Sequence, residues 1–189
     1  EFLRAYSIVT PVRVVTQDME FAGCPMKAGD RVMLPTFSAN RDHAEFDAGT
    51  VLSLDAARRA VDAGASFLVA PHLDPDVVHW ASARGIPMLP GAATATEVLA
   101  AWRAGAAAVK VFPASAVGPS FLRELRGPFP DIPLQPTGGI TVENAGDYIR
   151  VGAIAVGMGS WLFAGRTPET VTERARQATA AVALARTQG

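Results

Sequence analysis

The sequence predicts an α/β protein assembled from successive strand–helix units. Three observations carry this. From about residue 48 onward, short β-branched runs that end in Pro or Gly alternate with Ala-rich stretches whose apolar residues recur three and four apart. The runs return roughly every 16–24 residues, the spacing of a buried parallel strand followed by a helical crossover. Composition also changes at this point, with 6 alanines in the first 48 residues and 29 in the remaining 141.

In chain order, a strand over 50–52 leads into a helix over 54–63, and a strand over 66–70 into a helix over 75–84. The third strand, 87–90, closes on Pro90. Its helix, 96–103, is announced by Thr94 with Glu97 three residues later, a capping box in which each residue satisfies a free amide of the other's turn. The fourth strand, 109–113, ends at Phe112-Pro113 before a helix over 120–126. Strand 132–135 is followed by Pro136 and a helix over 142–149, and strand 153–156 by Gly157. The last helix, 168–186, has Thr167 as N-cap and Pro168 in its first turn. Six such units make either an open doubly wound sheet or part of a (β/α)8 barrel, which needs eight. Residues 12–15 and 31–35 also have strand character. No helical crossover separates them, so they suit an antiparallel ribbon rather than two barrel strands.

A chain of 189 residues holds one sizeable core, or a domain with an appendage. With 49% apolar and 19% charged residues it is not a disordered chain. Seventeen basic against eighteen acidic side chains leave a net charge of -1, which offers no footprint for nucleic acid or an anionic membrane. Cys24 is alone and cannot form an internal disulfide. No apolar run reaches the roughly 18 residues of a membrane span, and no leader-like segment opens the chain. The expected setting is therefore cytoplasmic. The chain opens on Glu1 rather than Met, which reads as a piece of something longer. No Gly-x-Gly-x-x-Gly or Walker-type loop follows any strand, which argues against a nucleotide site. His43, His72, His79 and Cys24 have no metal-ligand spacing, so no metal and no cofactor are expected.

Two features carry chemistry. Lys110 stands in Ala108-Val109-Lys110-Val111-Phe112, a run that otherwise reads as a buried strand. A desolvated lysine there is what imine chemistry on a ketone requires, since the neutral amine is the nucleophile. The bland alternative is a lysine at a strand edge that snorkels to water. The second feature is Pro136-Thr137-Gly138-Gly139-Ile140 followed by Val156-Gly157-Met158-Gly159-Ser160. Both segments follow the last two strands, where barrels bind phosphate with backbone amides. Ordinary turn glycines are the competing reading of each segment taken alone.

From about Ala48 to Phe163 the sequence resembles the 2-keto-3-deoxy-6-phosphogluconate / 4-hydroxy-2-oxoglutarate aldolase family. The stretches that carry the resemblance are Ala48-Gly49-Thr50-Val51-Leu52, Ala70-Pro71-His72-Leu73-Asp74, Met88-Leu89-Pro90-Gly91, Val109-Lys110-Val111-Phe112-Pro113-Ala114, Pro136-Thr137-Gly138-Gly139-Ile140 and Gly159-Ser160-Trp161-Leu162. The resemblance implies a class I aldolase, a carbon–carbon lyase with a (β/α)8 barrel and a trimeric assembly. It would cleave 2-keto-3-deoxy-6-phosphogluconate or 4-hydroxy-2-oxoglutarate to pyruvate and an aldehyde. It makes Lys110 the Schiff-base lysine. Thr50 would hold the pyruvyl group, and Gly138, Gly139 and Ser160 the phosphate. Pro90, Gly91, Phe112 and Thr137 complete the implied substrate-binding set. The implied partner is a small keto-acid phosphate.

Residues 1–47 instead resemble part of a bacterial cytochrome P450, through Glu1-Phe2-Leu3-Arg4, Met26-Lys27-Ala28-Gly29-Asp30-Arg31-Val32 and Ala39-Asn40-Arg41-Asp42-His43-Ala44-Glu45-Phe46. The haem-ligating region of that family is absent and Cys24 lies in no such motif, so no haem is expected. On this reading the chain is a chimera, a P450-like segment over 1–47 and an incomplete barrel over 48–189 that lacks the first two βα units. The aldolase family's general acid/base glutamate and its carboxylate-binding arginine then have no counterpart here. Loss of a general base costs about 10²- to 10⁴-fold, so impaired activity is expected. The rivals are a barrel of another phosphosugar enzyme, a non-catalytic sugar-phosphate-binding remnant, and a P450 fragment joined by gene-model error.

Overall fold

A computed structural model of the protein describes residues 51–62, 65, 67–164 and 167–187, together with the strands at 12–14, 19–21, 24–26 and 31–33. The first four elements are β1 (Val12–Val14), β2 (Met19–Phe21), β3 (Cys24–Met26) and β4 (Arg31–Met33). β1 pairs antiparallel with β4, Val12 opposite Met33 and Val14 opposite Arg31. This is the ribbon expected from residues 12–15 and 31–35. β2 and β3 make a second antiparallel pair, which the sequence reading did not contain.

The remaining elements are α1 (Leu54–Asp62), β5 (Leu68–Val69), α2 (Pro75–Ser82), β6 (Met88–Leu89), β7 (Gly91–Ala92), α3 (Ala95–Arg103), β8 (Val109–Val111), α4 (Ala114–Arg126), β9 (Leu134–Pro136), α5 (Val142–Arg150), α6 (Ser160–Phe163) and α7 (Pro168–Thr187). The six expected strand positions lie side by side in chain order. Val51 N–H donates to Val69 O at 3.1 Å. β5 pairs parallel with β6, and β7, β8 and β9 pair parallel in sequence. The sixth position follows β9 through a parallel bridge of Thr137 with Gly157, and Ile154 N–H donates to Leu134 O. A doubly wound sheet reverses its strand order at a switch point. No such reversal occurs among the described residues, whose parallel strands follow one another in sequence order.

The third strand is longer than 87–90. Pro90 has no N–H, so it interrupts the ladder between β6 and β7, and pairing resumes beyond it with Gly91 opposite Lys110. The core lies between strands and helices: Leu68, Met88, Val109, Val111 and Leu134 meet Val77, Val98, Leu122 and Tyr148. Small helical residues such as Ala57, Ala81, Ala101 and Ala145, all fully buried, let the backbones approach closely. That accounts for part of the alanine enrichment after residue 48.

Helix starts follow local chemistry. Asp74 caps α2, accepting from Asp76 N–H at 3.0 Å and Val77 N–H at 3.4 Å. The box at α3 forms as expected, with Glu97 N–H to Thr94 Oγ1 at 3.2 Å and Thr94 N–H to Glu97 Oε2 at 2.9 Å. Thr170 N–H donates to Thr167 Oγ1 at 3.3 Å, the expected cap of α7. α4 begins at Ala114, six residues before the expected start at 120. Its first amides have distant partners: Ala114 N–H donates to Thr137 O and Ser115 N–H to Gly138 O. The backbone leaves the helix at Gly118 (φ 72, ψ 172), ahead of Pro119, so the expected 120–126 is its second segment. α6 is a four-residue turn of helix, too short for periodicity to announce.

Candidate active site

All the parallel strands run the same way, so their C-terminal ends form one rim. Gly91-Ala92, Phe112, Thr137 to Gly139, and Gly157 to Ser160 all lie there. Lys110 sits one residue inside, in the middle of β8. It is 5% exposed, and burial lowers its pKa from 10.5 to about 8. Among the described residues no ion pair includes it. Its Nζ lies over the Phe112 ring, 4.6 Å from the ring centroid. The snorkelling alternative does not hold: strands on both sides, paired through Gly91 and Gln135, keep this side chain from the edge.

Two of its neighbours, Gly91 and Phe112, line a cavity of about 330 Å³ together with Pro71, His72, Leu73, Ala92, Ala93 and Glu97, and Lys110 itself is not among the lining residues. Gly91 belongs to this wall because no side chain fits: a Cβ there would lie 2.1 Å from the backbone C and O of Pro71. Pro90 contributes its carbonyl, which accepts from Lys110 N–H at 2.9 Å. Glu97 faces the cavity but is spent on its helix. Its Oε2 accepts from Ala93 N–H at 2.8 Å, Thr94 N–H at 2.9 Å and Thr94 Oγ1 at 3.0 Å. These bonds, Ala93 foremost, lower its pKa, so it is a poor proton acceptor at neutral pH. His72 is exposed at the mouth. Neither it nor Glu97 was singled out from the sequence as a cavity residue, since only the packing of Pro71 against Gly91 brings the two loops together.

Thr137, Gly138 and Gly139 continue β9. Both glycines adopt positive φ, 92° and 73°, a region that side-chain-bearing residues rarely occupy. Gly139 is further constrained by Ser115, whose Cβ would lie 2.5 Å from a Cβ at that position. Asn144 Nδ2 donates to Gly139 O at 3.0 Å, which ties the turn to the start of α5. Ser160 opens α6 on the neighbouring strand end and is exposed. The structure thus gathers Lys110, Pro90, Gly91, Phe112, Thr137, Gly138 and Gly139 on adjacent strands, with Ser160 on the next. Thr50 lies outside the described residues. Among those residues, no group of three His, Cys, Asp or Glu side chains could hold a metal ion, and no helix is long and apolar enough to cross a membrane.

A buried lysine with a lowered pKa in the middle of a strand, with neighbours that line a cavity and two glycine turns on the rim, can attack a carbonyl carbon while the rim holds an anion. Comparison with known proteins agrees in kind. The sequence model of the family described as KDPG and KHG aldolase matches residues 27–175. The 2-dehydro-3-deoxy-phosphogluconate aldolase of Pseudomonas aeruginosa is 38% identical over 138 residues, 72% of this chain and 61% of that protein. The chain thus spans about three fifths of that relative's length. The 2-dehydro-3-deoxy-6-phosphogalactonate aldolase of Escherichia coli is 35% identical over 191 residues, 93% of this chain and 92% of that protein. Among solved structures, one described as native KDPGal is 36% identical, covers 73% of this chain and 68% of that one, and has a TM-score of 0.70. A KDPG aldolase from Legionella pneumophila, with pyruvate captured as a covalent carbinolamine intermediate, is 30% identical with a TM-score of 0.58, covering 72% and 66% of the two chains.

These findings lend no support to a cytochrome P450 resemblance of residues 1–47. The family match begins at residue 27, well before the boundary expected at 48, and the E. coli aldolase aligns over nearly the whole chain. With residues 27–175 matched by the family's model and relatives 35–38% identical, the chain belongs to the KDPG and KHG aldolase family, whose named members are carbon–carbon lyases.

Proposed function

We propose that this chain is a class I aldolase that releases pyruvate from a 2-keto-3-deoxy-6-phospho sugar acid, or from 4-hydroxy-2-oxoglutarate, through an imine on Lys110. The observation that carries this reading is Lys110 itself, buried mid-strand beside a cavity with burial lowering its pKa to about 8. The Legionella relative holds pyruvate as a carbinolamine, the adduct that precedes such an imine. Lys110 Nζ attacks the keto carbon, and the carbinolamine loses water to give an iminium. A base removes the proton of the C4 hydroxyl, the C3–C4 bond breaks, and its electrons pass to the iminium nitrogen. The aldehyde departs, the resulting enamine takes a proton at C3, and water releases pyruvate from Lys110. Glu97 is a weak base for this step, since its cap occupies Oε2 and lowers its pKa. Impaired turnover is part of the reading, because the family's glutamate and arginine have no counterpart identified in this sequence. Thr137, Gly138, Gly139 and Ser160 are assigned to the phosphate, Pro90, Gly91 and Phe112 to the pyruvyl end, and Thr50 keeps its assignment from the resemblance. A trimer in a cytoplasmic setting completes the proposal.

Borohydride reduction in the presence of pyruvate, followed by peptide mapping, should place the adduct on Lys110. Labelling elsewhere in a folded sample would overturn the reading, and phosphate-ligand binding without an adduct would favour a non-catalytic remnant. The pH dependence is set by the amine. At pH 7 a pKa of about 8 leaves about a tenth of it neutral, against about one part in 3,000 for an ordinary lysine. Initial trapping rates should rise with pH and level off above about 8. A rise continuing past pH 10 would mean that burial does not tune this lysine.

The phosphate assignment has its own test. Gly139→Val places a side chain against Ser115 at a positive φ. Affinity for phosphorylated ligands should fall about tenfold or more, an effect of about 1.4 kcal/mol, while pyruvate trapping changes little. Equal losses in titrations with both ligands would indicate general misfolding instead.

A further inference from the structure

β9 carries a polar side chain that the chemistry above leaves unused. Gln135 stands between Leu134 and Pro136 and is only 8% exposed. In parallel register it lies directly opposite Lys110 on β8. Alternation along each strand sorts the faces: Val109, Val111 and Leu134 join the core beneath the helices, and Lys110 and Gln135 share the other face. Neighbouring strands lie about 4.8 Å apart, so two long side chains on one face at one register position are within mutual reach.

Gln135 Oε1 is sealed from solvent and has no hydrogen-bond partner among the described residues. Buried acceptors are almost always paired, because desolvation without compensation is costly. A leucine or methionine would fill this position without that cost, so the amide calls for a hydrogen-bond donor, and in the resting structure the Lys110 amine is not placed to be that donor. The nitrogen across the register supplies one during the reaction. As an iminium it is cationic and keeps a single N–H, which in a dry pocket needs an acceptor. A carboxylate could accept it too, but its charge would raise the lysine's pKa and hold the amine protonated and unreactive. A neutral amide oxygen avoids this while still favouring the cation.

We propose that Gln135 is a positioning residue for the imine, its side-chain carbonyl accepting the N–H of the Lys110 iminium and orienting the C=N plane toward the cavity. This rests on Lys110 as the imine-forming residue. The test uses the purified chain, pyruvate and borohydride across pH 6–10, with Gln135→Met and Gln135→Glu beside the parent and steady-state cleavage measured in parallel. Gln135→Met should lower trapped adduct and kcat by about tenfold, as loss of a charge-assisted hydrogen bond implies, with KM little changed. Gln135→Glu should keep the acceptor but move the midpoint of the pH profile upward by about one pH unit or more. If Gln135→Met does not fold, the shift in Gln135→Glu alone decides. Unchanged yields and midpoints in folded variants, or a loss of stability without either change, would overturn the role of Gln135 and leave Lys110 standing. A parent chain that traps no pyruvate would overturn the Lys110 reading, and this proposal with it.

Discussion

Lys110→Met is expected to abolish the pyruvate adduct and at the same time to make the protein more stable at neutral pH. Methionine keeps the length of the side chain and removes the charge. The displacement of the lysine from 10.5 to about 8 has burial as its cause, and a difference of that size corresponds to roughly 3 kcal/mol. At 5% exposure solvent does little to screen it, although interior relaxation brings the expected gain nearer to 1–3 kcal/mol. The sign follows from which form is penalised. Burial disfavours the ammonium, so the cost is full below pH 8, where folded and unfolded chains are both protonated. Between about pH 8 and 10.5 the folded lysine has released its proton and the unfolded one has not, so the cost shrinks as pH rises. Urea unfolding of both proteins at pH 7 and pH 10 checks this: the variant should lead clearly at pH 7 and by much less at pH 10. A variant less stable than the parent at pH 7 would mean that the ammonium has a stabilising partner. A residue that lowers stability while enabling chemistry is expected at an active site.

Gly91→Ala should be among the most disruptive single-methyl additions in the described chain. A Cβ at Gly91 would fall 2.1 Å from Pro71 C and O and 2.7 Å from His72 N, all backbone atoms that cannot rotate aside. The same residue donates to His72 O at 3.1 Å and pairs with Lys110. Relief of the clash must therefore open β7 from the end of β5 or shift it against β8, and either movement displaces the cavity wall beside Lys110. The expected loss is about 2–4 kcal/mol, which lowers the thermal midpoint by roughly 5–10 °C in a protein of this size. Gly159→Ala is the matched control, since nothing lies within 4 Å of its added Cβ, and its midpoint should stay within about 2 °C. Melting curves for the two variants side by side separate crowding at Gly91 from a general intolerance of alanine. Similar shifts in both would sink the steric argument.

The elements readable from residues alone are those whose cause is local. Apolar spacing placed the helices within a few residues at α1, α2, α3, α5 and α7, because a helix face repeats along one segment of chain. Thr94 with Glu97, and Thr167 ahead of Pro168, were legible because a cap reaches only three residues. The likeness to the aldolase family was legible from motifs at strand ends, whereas the P450 likeness rested on short matches with no structural context to discipline them. The start of α4 at Ala114 and the continuation of the third strand past Pro90 were not legible. Each depends on a partner far away in sequence, Thr137 and Gly138 in one case and β8 in the other.

The same division runs through the site. That Lys110 lies within an apolar strand follows from its neighbours in sequence, which raised amine chemistry beside the plainer reading of a snorkelling lysine, and the family resemblance chose between them. How deeply it is buried, and hence how far its pKa falls, depends on β7 and β9 closing over it from both sides. Gln135 had no mark in the sequence beyond being polar in a strand. Its meaning comes from register, which sets it opposite Lys110 with an unpartnered carbonyl. Register is a relation between strands, fixed by how their hydrogen bonds and side-chain layers fit together. A single strand's pattern states which face is buried, but only the assembled sheet decides which residues meet there.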